Sequence, residues 1–159
     1  MKRVVVDASV ILKWYLVDET YGAQALSLLQ QCAAGELEIL APSLLPYELM
    51  NGLMIAGRRA RLDQNTISLS FRGFMSLGIR FYEISFFADK VLQYCRLYGR
   101  SAYDSSYLAL AEQEGVDLIT ADERLFNSVQ KDLPRVRWIN EGQRPIFPAG
   151  KKGAAPRFS

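Results

Sequence analysis

Arg3-Val4-Val5-Val6-Asp7-Ala8-Ser9 decides how the rest of this chain is read. Three consecutive valines are apolar and β-branched, the pattern of a short strand buried on both faces. The run stops on a carboxylate, and Ser9 opens a helical stretch reaching about Val17. A buried strand that feeds directly into a helix is the first unit of a parallel α/β sheet.

Working outward, the same alternation recurs. Residues 38–41, 80–84, 117–120 and 136–139 read as further strands. Residues 20–35, 43–57, 63–77, 86–98, 103–114 and 122–130 read as helices, several of them stopped by Gly35, Gly78 and Gly115. Leu45, Leu49, Leu53 and Ala56 fall on one helical face. The fold expected is a three-layer α/β/α sandwich around a central, mainly parallel sheet, with right-handed crossovers.

Four acids sit where such a sheet presents them to one another. Asp7 ends the first strand and Asp122 follows Leu118-Ile119-Thr120-Ala121. Glu48 and Asp104 lie about one turn into helices that follow loops leaving the same sheet edge. Ligands bind beyond the carboxyl ends of the strands in open parallel sheets. Converging carboxylates beside apolar surface repel one another, and a hard divalent cation is the cheapest way to hold them together. The cations expected are Mg²⁺ or Mn²⁺. The chain contains no histidine, which excludes imidazole acid–base and nucleophile–base chemistry.

Capping offers a competing account of two of these acids. Asp122 suits a helix N-cap, and Thr120 and Glu123 have capping-box spacing; so do Ser101 and Asp104. Glu48, between Tyr47 and Leu49, could face solvent. Four such coincidences in one chain are much less expected than one.

The chain has 159 residues, 50% hydrophobic and 23% charged, enough for one domain with a sizeable core. No apolar run approaches a membrane span, and Asp7 interrupts the first apolar run too early for a secretory signal. Cys32 and Cys95 follow no metal or redox spacing and read as buried thiols in a reducing, cytoplasmic setting. The net charge of +2 hides an asymmetry: residues 144–159 hold Arg144, Lys151, Lys152 and Arg157 and no acid, leaving 15 of the 19 basic groups against all 17 acids in residues 1–143. A division into a folded domain, residues 1–143, and a basic Pro/Gly-rich tail, residues 144–159, is expected.

Four strings carry a family resemblance: Val6-Asp7-Ala8-Ser9-Val10-Ile11-Leu12-Lys13-Trp14, Pro46-Tyr47-Glu48-Leu49-Met50-Asn51-Gly52-Leu53, Ser101-Ala102-Tyr103-Asp104-Ser105-Ser106-Tyr107-Leu108-Ala109-Leu110-Ala111, and Leu118-Ile119-Thr120-Ala121-Asp122-Glu123-Arg124-Leu125. In this order, over about residues 1–140, they resemble PIN domains, and among these the VapC-type toxins of toxin–antitoxin pairs. Ser105 stands where relatives usually carry alanine.

The resemblance implies a Mg²⁺- or Mn²⁺-dependent endoribonuclease whose acidic quartet is Asp7, Glu48, Asp104 and Asp122. It implies auxiliary hydroxyls at Ser9 and Thr120, a cognate antitoxin, an RNA substrate and a homodimer. Asn51, one helical turn beyond Glu48, is a candidate to hydrogen-bond into the site; an ordinary polar residue of the helix is the competing account. Arg58, Arg59 and Arg61 cluster after the Glu48 helix and are candidates for gripping RNA phosphates; dipole-stabilising, solvated arginines are the competing account. Of Tyr94, Tyr98, Tyr103 and Tyr107, at least two are expected in the core or an interface. The groove for an inhibitor helix is expected between residues 20–34 and 43–57, and the dimer surface on residues 86–98 and 103–114.

Two other classes were weighed. A catalytically silent PIN-like binding module has no reason to keep four repelling acids, and a housekeeping PIN nuclease would lack the antitoxin. A haloacid-dehalogenase-type phosphatase needs Asp-x-Asp after the first strand, where Asp7 is followed by Ala8 and Ser9. A receiver domain needs a phosphoacceptor Asp at a mid-chain strand end, where Ile84 is followed by Ser85.

Overall fold

The computed structural model describes residues 1–140. The tail and the division at residue 143 lie outside the described residues. Five strands form the sheet: β1 (Lys2–Val6), β2 (Leu37–Pro42), β3 (Arg80–Tyr82), β4 (Asp117–Thr120) and β5 (Val136–Trp138). Their order is β3-β2-β1-β4-β5, and every neighbouring pair is parallel.

The valine run takes the centre of this sheet. Val4, Val5 and Val6 are at most 1% exposed, with Val4 opposite Ile39 on one side and Asp117 on the other. Burying each such side chain contributes about 1.5–3 kcal/mol. The chain leaves β1 toward β2 and β3, then returns across the sheet to β4 and continues outward to β5. Between β1 and β4 the winding therefore changes direction, and it is there that an open α/β sheet offers a crevice at its carboxyl edge.

Seven helices cover the sheet: α1 (Ala8–Ile11), α2 (Gly22–Ala33), α3 (Leu45–Arg58), α4 (Gln64–Met75), α5 (Ala88–Tyr98), α6 (Ala102–Glu114) and α7 (Glu123–Val129). Right-handed crossovers put α1 to α4 on one face and α5 to α7 on the other. The helix α6 lies against β1, β2 and β4, and α5 packs on its outer side. Residues 105–111 of α6 are consequently buried in an unbroken run. A helix apolar all round belongs between two layers rather than at a surface.

Local departures from the sequence reading have local causes. The helix after Asp7 tightens into a 3₁₀ turn over Leu12–Trp14, where the Trp14 indole donates to the Ala25 carbonyl at 2.7 Å. Thr20 does not cap the second helix. Tyr21 precedes it in the left-handed region (φ 65°), its ring edge-on to Trp138 at 5.7 Å, so aromatic packing fixes a conformation that sequence would assign to glycine.

Candidate metal centre

Asp7 leaves β1 at the switch between β1 and β4 and becomes the N-cap of α1. Its backbone N–H donates to the Ile119 carbonyl at 3.3 Å, so the first strand stays zipped to β4 up to the acid. The carboxylate is 5% exposed. On Oδ1 it accepts from the Ser9 backbone N–H at 3.1 Å and from the Ser9 hydroxyl. On Oδ2 it accepts from the Thr120 hydroxyl at 2.5 Å.

Each hydroxyl is itself fixed by the turn after β4. Ser9 Oγ accepts from the Ala121 N–H at 2.9 Å, and Thr120 Oγ1 accepts from the Asp122 N–H at 3.0 Å. With backbone donors on one side, both hydroxyl protons point at Asp7. The α1 and β4 segments thus hold one buried carboxylate from both sides.

Burial pushes the Asp7 carboxyl up from its ordinary 3.8 to about 7. The Ser9 and Thr120 hydroxyls pull it down, and the charges of Asp122 and Asp104 push it up again. Those last two contributions place Asp104 and Asp122 within electrostatic reach of Asp7. The Glu48 carboxyl is raised as well, first by burial, against a lowering hydrogen bond from Tyr107 and a raising contribution from Asp104.

The other three acids each face a donor. Asp122 caps α7, accepting from the Leu125 N–H at 3.1 Å, so the capping account of this residue is correct as far as it goes. At α6, Ser101 accepts from the Asp104 N–H at 3.1 Å, but the return half of the capping box is missing: Asp104 Oδ2 accepts from Arg100 instead, at 2.7 and 3.2 Å. Glu48, in the first turn of α3, does not face open solvent. Its Oε1 accepts from the Tyr107 hydroxyl at 2.6 Å.

An all-carboxylate donor set suits a hard, oxygen-seeking divalent cation, and a buried anion held by two neutral hydroxyls retains a need for positive charge. Among the described residues no three of these acids are close enough to hold one ion as their side chains lie. In this arrangement Asp104, Glu48 and Asp122 each face a donor of their own, Arg100, Tyr107 and the Leu125 N–H.

Outside the quartet, one expectation needs correction. Asn51 is exposed on α3 and makes no hydrogen bond to Glu48, whose Oε1 accepts from the Tyr107 hydroxyl instead. Arg58, Arg59 and Arg61 are all exposed, and Arg61 makes surface ion pairs with Asp18 at 2.7 Å and Glu19 at 3.3 Å. Tyr94, Tyr98 and Tyr107 are buried and Tyr103 is exposed. Sequence reasoning missed Tyr107 and Arg100 as partners of the acids. For Arg100 the i,i+4 spacing from Asp104 was the available signal; Tyr107, 59 residues from Glu48, gave none.

A parallel α/β/α sandwich with a carboxylate centre at its topological switch defines a class, and comparison with known proteins agrees. The PIN domain family model matches residues 4–132. A VapC ribonuclease of Mycobacterium bovis and the ribonuclease VapC9 of Mycobacterium tuberculosis are each 32% identical over 131 residues, covering 82% of this chain and 94% of theirs. Among solved structures, PAE2754 of Pyrobaculum aerophilum superposes with a TM-score of 0.56 at 24% identity, over 79% of this chain and 78% of that one. VapC20 of M. tuberculosis, a sarcin-ricin loop cleaving toxin, does so with 0.58 at 13% identity, over 84% and 98%. The chain belongs to the PIN domain family, and within it to the group of the VapC ribonucleases.

Proposed function

We propose that this protein is a Mg²⁺- or Mn²⁺-dependent endoribonuclease acting in the cytoplasm, and the toxin of a toxin–antitoxin pair. The observation that carries the reading is Asp7: buried, held by the Ser9 and Thr120 hydroxyls, and electrostatically coupled to Asp104 and Asp122. Asp7, Glu48, Asp104 and Asp122 would hold the cation. Bound there, it supplies an activated water and charge neutralisation on the phosphodiester. Ser9 and Thr120 orient Asp7, and Tyr107 orients Glu48. A chain without histidine lacks the usual base for the ribose 2′-OH, so the expected ends are 5′-phosphate and 3′-hydroxyl.

For the antitoxin, a cavity of about 620 Å³ between α3 and α4 offers a second candidate groove beside the one expected between α2 and α3. Met50, Met54, Leu62, Ile67 and Phe71 supply its apolar lining, and Arg58, Asp63 and Arg72 its charged lining. Apolar anchors with acidic flanks are the complementary partner surface.

A homodimer is the remaining partner. Most of α6 is used inside the protomer, so Phe86, Leu92, Leu97 and Tyr103 are the exposed apolar side chains on residues 86–98 and 103–114. Among the described residues no helix is long and apolar enough to cross a membrane.

The deciding test is cleavage of single-stranded RNA by the purified full-length protein, with Mg²⁺ and with EDTA, for wild type and Asp7→Asn. Cleavage that survives either EDTA or Asp7→Asn overturns the reading. Growth arrest on expression, relieved by co-expressing the adjacent gene, tests the toxin assignment separately.

A further inference from the structure

Arg100 occupies a position whose pairing helix stability alone does not require. It is one of the residues linking α5 to α6, held between two caps. Gly99 ends α5 in the left-handed region (φ 61°), its N–H donating to the Cys95 carbonyl at 3.0 Å, and Ser101 caps α6. The backbone at Arg100 is thereby fixed at the N-terminus of a 13-residue helix. A cation there opposes the dipole of α6 while favouring that of α5, which ends at Tyr98, and an Arg four residues before an acid is the weaker order for a helical ion pair.

What the position does provide is reach. Arg100 Nη2 and Nε both donate to the same oxygen of Asp104, at 2.7 and 3.2 Å, and the two side chains are only 21% and 26% exposed. Other arginine pairs lie on acids outside the quartet, as with Arg3 and Glu114 or Arg61 and Asp18. A guanidinium fork matches a phosphate as well as it matches a carboxylate.

We propose that Arg100 is the residue that grips the scissile RNA phosphate, stored on Asp104 in the cation-free chain and passed to a non-bridging phosphate oxygen once Asp104 is engaged in holding a divalent cation. The inference rests on the ribonuclease reading. It makes the Arg100–Asp104 pair a competitor of the cation for one carboxylate, and it makes the fork a substrate contact rather than a structural one.

The test uses the full-length protein and two readouts: Mn²⁺ affinity, from electron paramagnetic resonance of the free ion without RNA, and single-turnover cleavage of single-stranded RNA at saturating Mn²⁺. Arg100→Ala should bind Mn²⁺ roughly three- to tenfold more tightly and cleave roughly 100-fold more slowly or worse. Arg100→Lys, which keeps the charge and loses the fork, should bind Mn²⁺ about as wild type and still cleave poorly. Should Arg100→Ala fail to fold, judged by circular dichroism, Arg100→Gln carries both measurements. Weaker Mn²⁺ binding in Arg100→Ala would show an arginine that merely positions Asp104 and would overturn the proposal. Unchanged cleavage would overturn it as well. If the wild type cleaves no RNA, the ribonuclease reading fails by itself, and the sign of the Mn²⁺ change still decides whether Arg100 competes for Asp104.

Discussion

Thr120 and Asp7 meet across the β1–β4 switch: Thr120 Oγ1 donates to Asp7 Oδ2 at 2.5 Å while accepting from the Asp122 N–H at 3.0 Å. One hydroxyl thus ties two acids of the quartet to each other through a fully buried side chain. The last residue of β4 sets both the orientation of the central carboxylate and the start of the turn that carries Asp122.

Replacing that hydroxyl by a methyl tests the link. Thr120→Val keeps shape and volume but leaves a buried Asp7 oxygen and the Asp122 N–H without their partner. Each orphaned group costs about 1–3 kcal/mol, so the variant should lose roughly 2 kcal/mol or more in urea denaturation and most of its cleavage. Thr120→Ser should retain both. A Thr120→Val protein with wild-type stability would show that the hydroxyl holds nothing in place.

Asp7 should govern the pH dependence of stability when no divalent cation is present. Its carboxyl titrates near 7 in the folded chain and near the ordinary 3.8 when unfolded. Between these values the folded state holds the extra proton, so stability is greatest below about pH 4 and falls as pH rises toward 7. In EDTA, Asp7→Asn should remove this slope. Thermal melts from pH 4 to 8 would show it; equal slopes for the two proteins would refute the assignment of the effect to Asp7. Mg²⁺ should stabilise the wild type at pH 8 and do little for the variant.

How much of this was legible beforehand follows from what each feature depends on. The valine run, the acids ending β1 and following β4, and the helix of α6 depend on short-range pattern, and the parallel order follows from strand–helix alternation. The 3₁₀ turn after Ile11 and the left-handed Tyr21 depend on Trp14 and Trp138 packing from elsewhere in the chain. The same holds at the site. Ser9 and Thr120, each two residues from an acid, came from the family resemblance, and the bond from Thr120 to Asp7 spans 113 residues. Tyr107 meets Glu48 across 59 residues of chain, and Arg61 pairs at the surface with Asp18 and Glu19, 43 and 42 residues away. Such pairs need the tertiary fold before they have partners.

Ser105 offers a stability gain at no cost to the proposed chemistry. It is fully buried in α6, and its hydroxyl has no hydrogen-bond partner among the described residues. Ser105→Ala removes a desolvated polar group and adds a better helix former, which together should stabilise the protein by about 1–2 kcal/mol. The Asp104 N–H and carboxylate contacts do not involve this side chain, so cleavage should be unchanged. A lower midpoint in urea would mean that the hydroxyl has a partner, such as a buried water, that its loss exposes.

Tyr107 should reveal itself through pH rather than through stability alone. Its hydroxyl donates to Glu48 at 2.6 Å, and that bond lowers a carboxyl that burial and Asp104 raise. Tyr107→Phe removes the lowering contribution, so Glu48 holds its proton to higher pH. A protonated Glu48 is a poorer cation ligand, and the acid limb of the cleavage profile should therefore move upward in pH. Relative to wild type, cleavage by the variant should fall more at pH 6 than at pH 8. If Tyr107→Phe instead lowers activity by the same factor across the whole range, the hydroxyl positions Glu48 without tuning it.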